Sequence, residues 1–347
     1  MKNIWTLGFL AAAFAIPACA QPAVPAAAPT VPSAVGPSGY HLIRTVPLPG
    51  DEGWDDLALH QPSHRLYITH GTHVVVVNLS DFSIAGDIPG TPRVHGVAFA
   101  SDAGFTSNGG DNTVSVFDLQ TYQTIKRIAV GTGPDAIIYD PASHDVLTFN
   151  GGSKDATVID AKAQTVVGTI PLGGKPEFAA SDGNGKVFVN IEDTSEIVAI
   201  DTKTLTVAKR WPLAPCQEPS GLAIDAAHNR LFAVCHNKMM AVVDALTGKI
   251  VSTPAIGEGP DGAGFDPGTQ LAFSSNGEGT LTVVREVSPD DFKVIDTVQT
   301  QKRARTMVLD PKSHDVFLVT ADFNPPATPG ARGTIVPGTF RLLVYAK

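Results

Sequence analysis

An apolar strand that ends in Asp or Asn and runs into a turn recurs along this chain. It reads VVVVN to Asn78, VSVFD to Asp118, ATVID to Asp160, IVAID to Asp201 and AVVDA around Asp244. Successive copies stand 40, 42, 41 and 43 residues apart. A sixth copy, LTVVR, reaches Arg285 without the closing Asp, and RLLVYAK ends the chain. A fixed period of this size marks a repeat architecture, in which each unit buries its apolar faces against its neighbours.

Each copy is preceded by a strand and a Gly- or Asn-bearing turn, as in LYITHGTHVVVVN, LTFNGGSKDATVID and AFSSNGEGTLTVV. That is the signal of a β-hairpin. Before the hairpin comes an Asp-Pro turn at Asp140-Pro141, Asp266-Pro267 and Asp310-Pro311, with Gln61-Pro62 in the first unit. Four short strands in each 40–45 residues is the arithmetic of a propeller blade. Innermost strands are expected to open near Asp55, His95, Asp135, Glu177, Ser220, Asp261 and Arg305, which counts seven blades. The expected fold is therefore all-β: a seven-bladed β-propeller over residues 40–347, with four antiparallel strands per blade. The last unit supplies only three strands, and Tyr40–Leu48 is a strand without a blade. The N-terminal strand is expected to complete the last blade and close the ring, which removes long open edges. An open solenoid is the alternative, and it would need capping repeats that the sequence does not display.

The hairpins resemble the YVTN-repeat β-propeller family of exported bacterial proteins, whose repeat reads roughly V-Y-V-T-N-x-G-x-N-T-V-S-V-I-D. The nearest copy is FTSNGGDNTVSVFD, Phe105 to Asp118. The resemblance covers nearly everything from Tyr40 onward. It implies the fold, and because the motif is structural it carries no catalytic residue over. The chain departs from it at Cys235-His236-Asn237, which replaces the usual turn, and in the long insertion of the last unit, Ala321 to Gly338. Such a loop reads equally as a lid or as an unstructured insertion.

The start of the chain is read separately. Lys2 precedes an apolar run from Ile4 to Ile16, which suits an export signal and is too short for a membrane span. Two cleavage readings compete: Ala18-Cys19-Ala20 as a small-x-small site, or Cys19 as a lipidated first residue. Residues 1–20 are thus expected to be a signal peptide and 21–39 a Pro/Ala-rich linker, with the mature protein periplasmic or otherwise exported. Formal charge is −9, and −10 once the single positive charge of Lys2 is removed. Without a basic run, nucleic acid is not an expected partner. The rest of the chain has no segment apolar enough to span a bilayer, and a monomer is expected. Cys216 and Cys235 are an even pair, so in an oxidising compartment a disulfide is the first reading and a pair of metal-binding thiolates the second.

Chemistry on a propeller belongs where the innermost strands line the central channel. A purely structural position would repeat its residue from blade to blade. The position opening the innermost strand instead varies: Asp55 (or Asp56), His95, Asp135, Glu177, Ser220, Asp261 and Arg305, with Glu218 nearby. The hairpin position beside it carries His70 and a series of Asn residues, read as turn formers. These groups predict a polar funnel that binds a small polar ligand or a divalent metal ion. Carboxylates suit Ca²⁺ or Mg²⁺, and a His among them suits a transition metal. His70 and His73 could share a metal or stand in solvent. His60, His64, His144, His228 and His314 fall near turns of the opposite face.

Hydrolase elbows, zincin, Walker and haem-attachment motifs are absent. Three functions remain: a binding or scaffold protein of the cell envelope, its partner a small polar ligand or an envelope protein; a metal-assisted hydrolase or lyase resembling lactonase-like propellers; or a non-catalytic subunit of a periplasmic oxidoreductase.

Overall fold

The computed structural model describes residue 1 and residues 36–100, 102–326, 328 and 333–347. The expected export segment, most of the linker and Cys19 lie outside the described residues.

Seven four-stranded antiparallel sheets follow one another along the chain. Blade 1 holds Trp54–His60, Arg65–His70, His73–Asn78 and Ile84–Pro89, innermost to outermost. The next five blades repeat this order, with innermost strands Val94–Ala100, Pro134–Asp140, Pro176–Ser181, Pro219–Asp225 and Pro260–Asp266. In blade 7 the strands Met307–Leu309, Val316–Thr320 and Arg341–Ala346 are completed on the outside by the N-terminal strand His41–Pro47. The ring closes as the sequence predicts. Among the described residues, helix is limited to a 3-10 turn at Gln61–Ser63.

The core is not central. It is divided into seven apolar clusters, one at each blade-to-blade interface, because successive side chains of a strand point to opposite faces of its sheet. In the third strand of blade 1, Val75 and Val77 pack against Phe317 and Leu342 of blade 7. Val74 and Val76 pack against Val97 and Phe117 of blade 2. Middle strands are therefore buried on both faces, whereas the outermost strands, such as Thr124–Ala129, are mostly exposed.

The recurring Asp has a local job. The Asp118 carboxylate accepts the N–H groups of Gln120 (2.9 Å) and Thr121 (2.7 Å), and Asp160, Asp201 and Asp244 repeat the arrangement. Each holds the turn between third and fourth strands, as an Asx-type side chain does. Blade 6 lacks it: Arg285 stands where blades 2 to 5 have Asp and blade 1 has Asn78, and the third strand runs on from Thr280 to Ser288. At the other end, Ser38 is not a free linker residue. Its N–H and hydroxyl donate to Asp296 on the outer strand of blade 6 (3.0 and 2.6 Å).

Candidate functional site at the channel mouth

In six blades the pairing of innermost and second strands skips register at the opening of the innermost strand, between Trp54 and Leu57, Val94 and Val97, Pro134 and Ile137, Pro176 and Ala179, Pro219 and Leu222, and Pro260 and Gly262. A bulge re-aims the side chain it carries. The residue just inside each skip is Asp55, His95, Asp135, Glu177, Ser220 or Asp261. Arg305 holds the matching place ahead of the short inner strand of blade 7.

This ring is clamped from behind by the preceding blade. Ser107 donates to the Asp135 carbonyl, and Ser275 to the Arg305 carbonyl. The Asn190 amide donates to the carbonyls of Ser220 (2.8 Å) and Gly221 (3.0 Å). The sequence reading of the hairpin Asn residues as turn formers is thus too narrow for Asn190, which ties two blades together.

Blades 1, 2 and 3 bring Asp55, His95 and Asp135 together. His95 Nδ1 lies 2.5 Å from Asp55 Oδ2 and 3.4 Å from Asp135 Oδ1. One oxygen or nitrogen of each of the three falls within 4.8 Å of the others. Gly109 makes room for the imidazole, since a Cβ there would stand 2.8 Å from Nε2. Around the ring, Lys175 bridges Glu177 (2.6 Å) and Glu192. Asp261 accepts from Ser220 Oγ (2.7 Å) and pairs with Arg305 Nε (3.1 Å).

The electrostatics follow from crowding carboxylates in a confined space. Burial, and behind it the charges of Asp55 and Asp261, push Asp135 up to about 6 despite the opposing pull of His95. Burial and then the Asp135 charge push Glu177 up to about 8, against the pull of Lys175. Burial also raises Asp261. For His95 burial works downward, but the Asp55 hydrogen bond and the charges of Asp135 and Asp55 outweigh it and the imidazole is held above its ordinary value.

A family model described as a YNCE-like beta-propeller matches residues 90–254, from the end of blade 1 through blade 5. The chain is a seven-bladed propeller, and over those residues it is similar to that family. Comparison with curated protein sequences returns no match. Among solved structures, this chain is similar to a chain of Kuenenia stuttgartiensis hydrazine synthase, at 16% identity and a TM-score of 0.67, covering 78% of this chain and 93% of that one. It is also similar to a chain of a mitotic checkpoint complex, at 14% identity and a TM-score of 0.73, covering 98% and 99%. At these identities the likeness is one of fold.

Not every expected site residue of this propeller reaches the mouth. His70 is fully buried and stacks on Phe340 (4.4 Å between centroids), with its Nδ1 3.4 Å from His73. The stack and the overlying Gly50 take it out of the channel, and burial lowers its imidazole to about 4. Glu218 is exposed on the rim, 3.3 Å from His236, rather than in the ring. Cys216 and Cys235 form the disulfide, with Cα atoms 5.7 Å apart, and tie down the segment that carries Glu218.

The mouth also holds Asp56, the alternative that the sequence offers to Asp55, and groups for which the sequence gives no sign. Asp56 lies in the same bulge as Asp55, and burial together with the charges of Asp55, Asp261 and Asp135 raises it well above the carboxylate range. A cavity of about 640 Å³ opens beside the ring, lined by Trp54, Arg303, Arg305, Phe323 and Ile335 among others. The Arg303 guanidinium stacks 3.8 Å over Phe323, and Trp54 lies 5.9 Å from the same ring. Phe323 and Ile335 pair across the base of the long insertion, so the insertion forms one wall of the cavity. Nothing local in the sequence pairs Arg303 with Phe323, so the stack carries no sequence signal.

Proposed function

We propose that this protein is an exported, cell-envelope binding propeller whose channel mouth takes a small polar ligand with the help of a divalent cation. The observation that carries the reading is the convergence of Asp55, His95 and Asp135 from three consecutive blades, with donor atoms within 4.8 Å of one another. One imidazole and two carboxylates form a donor set for a transition metal. Further carboxylates at Asp56, Glu177 and Asp261 are held toward their protonated forms by burial and crowding, and a cation would bind there in exchange for protons. The cavity beside it has the size and the mixture of aromatic and polar walls typical of small-molecule sites. Arg303 and Arg305 suit an anionic group on the ligand, and Trp54 and Phe323 suit a flat apolar part.

Export is supported by the apolar leader and by the disulfide, which belongs to an oxidising compartment. No helix among the described residues is long and apolar enough to cross a membrane.

The test is titration of chelator-stripped protein with Zn²⁺ and Mn²⁺ by calorimetry. Stoichiometric binding that weakens in His95→Ala and Asp135→Asn supports the reading. Binding equal to wild type in both variants ends it.

A second reading, metal-assisted hydrolysis, draws on the His95–Asp55 contact. A metal held by Asp55, His95 and Asp135 would supply Lewis acidity, and one of the remaining mouth carboxylates would carry the proton. Hydrolysis of a lactone or ester panel by the metal-loaded protein, lost in His95→Ala, would select it. For the oxidoreductase-subunit reading, the likeness to a hydrazine synthase chain supports the fold alone.

A further inference from the structure

The turn carboxylate missing from blade 6 has a structural consequence at the far end of the ring from the mouth. Because Arg285 replaces the Asp, the third strand of that blade continues and carries Glu286 against blade 5. Glu286 is 5% exposed, and among the described residues neither of its carboxylate oxygens has a hydrogen-bond partner. A buried carboxylate whose only close polar neighbours among the described residues are Asp225 and His228 is costly unless a positive charge stands against it, and a metal ion would supply one. The nearby Arg230 does not hydrogen-bond to it: its guanidinium goes to Asp244 (3.0 Å), Asp290 (3.0 Å) and the Pro289 carbonyl (2.6 Å).

Facing Glu286 are two residues of blade 5. Asp225 closes the innermost strand at 2% exposure, and His228 sits in the turn that follows. His228 Nδ1 lies 2.6 Å from Asp225 Oδ2 and 3.0 Å from Glu286 Oε1, and the three donor atoms fall within 4.8 Å of one another. A tetrahedral Zn²⁺ with bonds of about 2.0–2.2 Å holds its ligand atoms about 3.3–3.5 Å apart. A small opening of this cluster reaches that spacing. The His228 side chain is 40% exposed, so solvent reaches the remaining coordination position.

We propose that Asp225, His228 and Glu286 form a second divalent-metal site of the Zn²⁺ type, which ties blade 5 to blade 6. It is separate from the mouth and does not depend on the reading given to the mouth. Its donors come from two blades, so the metal would add a cross-link to the apolar cluster and to the Arg230–Asp290 and Ser220–Asp261 contacts that already join the two sheets.

The experiment uses the full chain, stripped with chelator and titrated with Zn²⁺, with bound metal counted by elemental analysis after gel filtration. His95→Ala/Asp135→Asn removes the mouth donors and is expected to retain one Zn²⁺ per chain. Adding Glu286→Gln, which is nearly isosteric, is expected to weaken that remaining site at least 30-fold and to abolish the rise in Tm that Zn²⁺ causes. His228→Ala is expected to do the same, and circular dichroism checks that each variant is folded. If the mouth reading fails but this one holds, wild type binds a single Zn²⁺ that is lost in Glu286→Gln and kept in His95→Ala/Asp135→Asn. Unchanged Zn²⁺ affinity and stoichiometry in folded Glu286→Gln overturns the proposal.

Discussion

Acidic side chains do opposite work at two places in this propeller. At the turn between third and fourth strands, Asp118, Asp201 and Asp244 are each saturated by backbone N–H groups. The N–H groups of Thr121 and Gln120 hold Asp118 below the usual carboxylate range, and those of Thr204 and Lys203 do so for Asp201. At the channel mouth, Asp135, Glu177 and Asp261 face other acids, and burial holds them above that range. A repeat therefore shows where it is merely folding by satisfying its polar groups locally. It shows where it is prepared for a ligand by crowding more acids together than His95, Lys175 and Arg305 can neutralise.

The largest break between the two regions is expected in metal affinity. His95→Ala combined with Asp135→Asn should weaken Zn²⁺ binding at the mouth by at least about 100-fold, since first-sphere donors exceed the 10–100-fold effect of their supporting groups. Asp244→Ala, in the turn class, should leave it unchanged in the same calorimetric titration.

Next comes a positioning test. Gly109→Ala places a Cβ 2.8 Å from His95 Nε2 and should shift the ring, costing about 10-fold in metal affinity. The thermal midpoint of the apo protein should hardly move, which separates misplacement from unfolding.

The third expected effect is a division of the pH profile. Folded Glu177 and Asp135 bind their protons more tightly than the unfolded chain does, so these groups remove stability as pH rises. The loss runs from about 4 to about 6 for Asp135 and from about 4.5 to about 8 for Glu177. The turn carboxylates are depressed, so their stabilisation is present above about pH 4 and is lost as pH falls through their folded values. Thermal melts of metal-free Glu177→Gln should therefore lose much of the decline between pH 6 and 8 and keep the acid limb. An unchanged decline in that window would show that Glu177 is not its source.

The smallest effect is stability alone. Asp244→Ala deletes hydrogen bonds worth about 1 kcal/mol each and should lower Tm by roughly 2–4 °C.

Much of this was legible from the repeat itself. The strand-turn-strand copies and their 40–43-residue spacing fix blade number, because a unit that short accommodates four strands and no helix. Ring closure was legible from the orphan strand at Tyr40–Leu48 and the three-stranded last unit. The variable position opening each innermost strand located Asp55, His95, Asp135, Glu177, Asp261 and Arg305 at one end of the channel. His70 misled because a hairpin position next to the ring looks equivalent in sequence, whereas Phe340 from blade 7 closes over it. Arg303, Phe323 and Glu286 went unnoticed for a related reason. Each acquires its surroundings from a departure from the repeat, and a departure has no counterpart in the other copies to compare with.

By itself the sequence determined the architecture. Periodic alternation of apolar residues and turn-forming Asp, Asn and Gly is a local code, read within one unit and repeated seven times. Only the tertiary structure decided which polar groups share a space. The channel joins residues 40 apart at Asp55, His95 and Asp135, and the opposite end joins Asp225 to Glu286 across two sheets. Those distances depend on the angle at which neighbouring sheets pack and on where bulges and overlong strands aim their side chains. Both are set by contacts between units, and no single unit of the sequence encodes them.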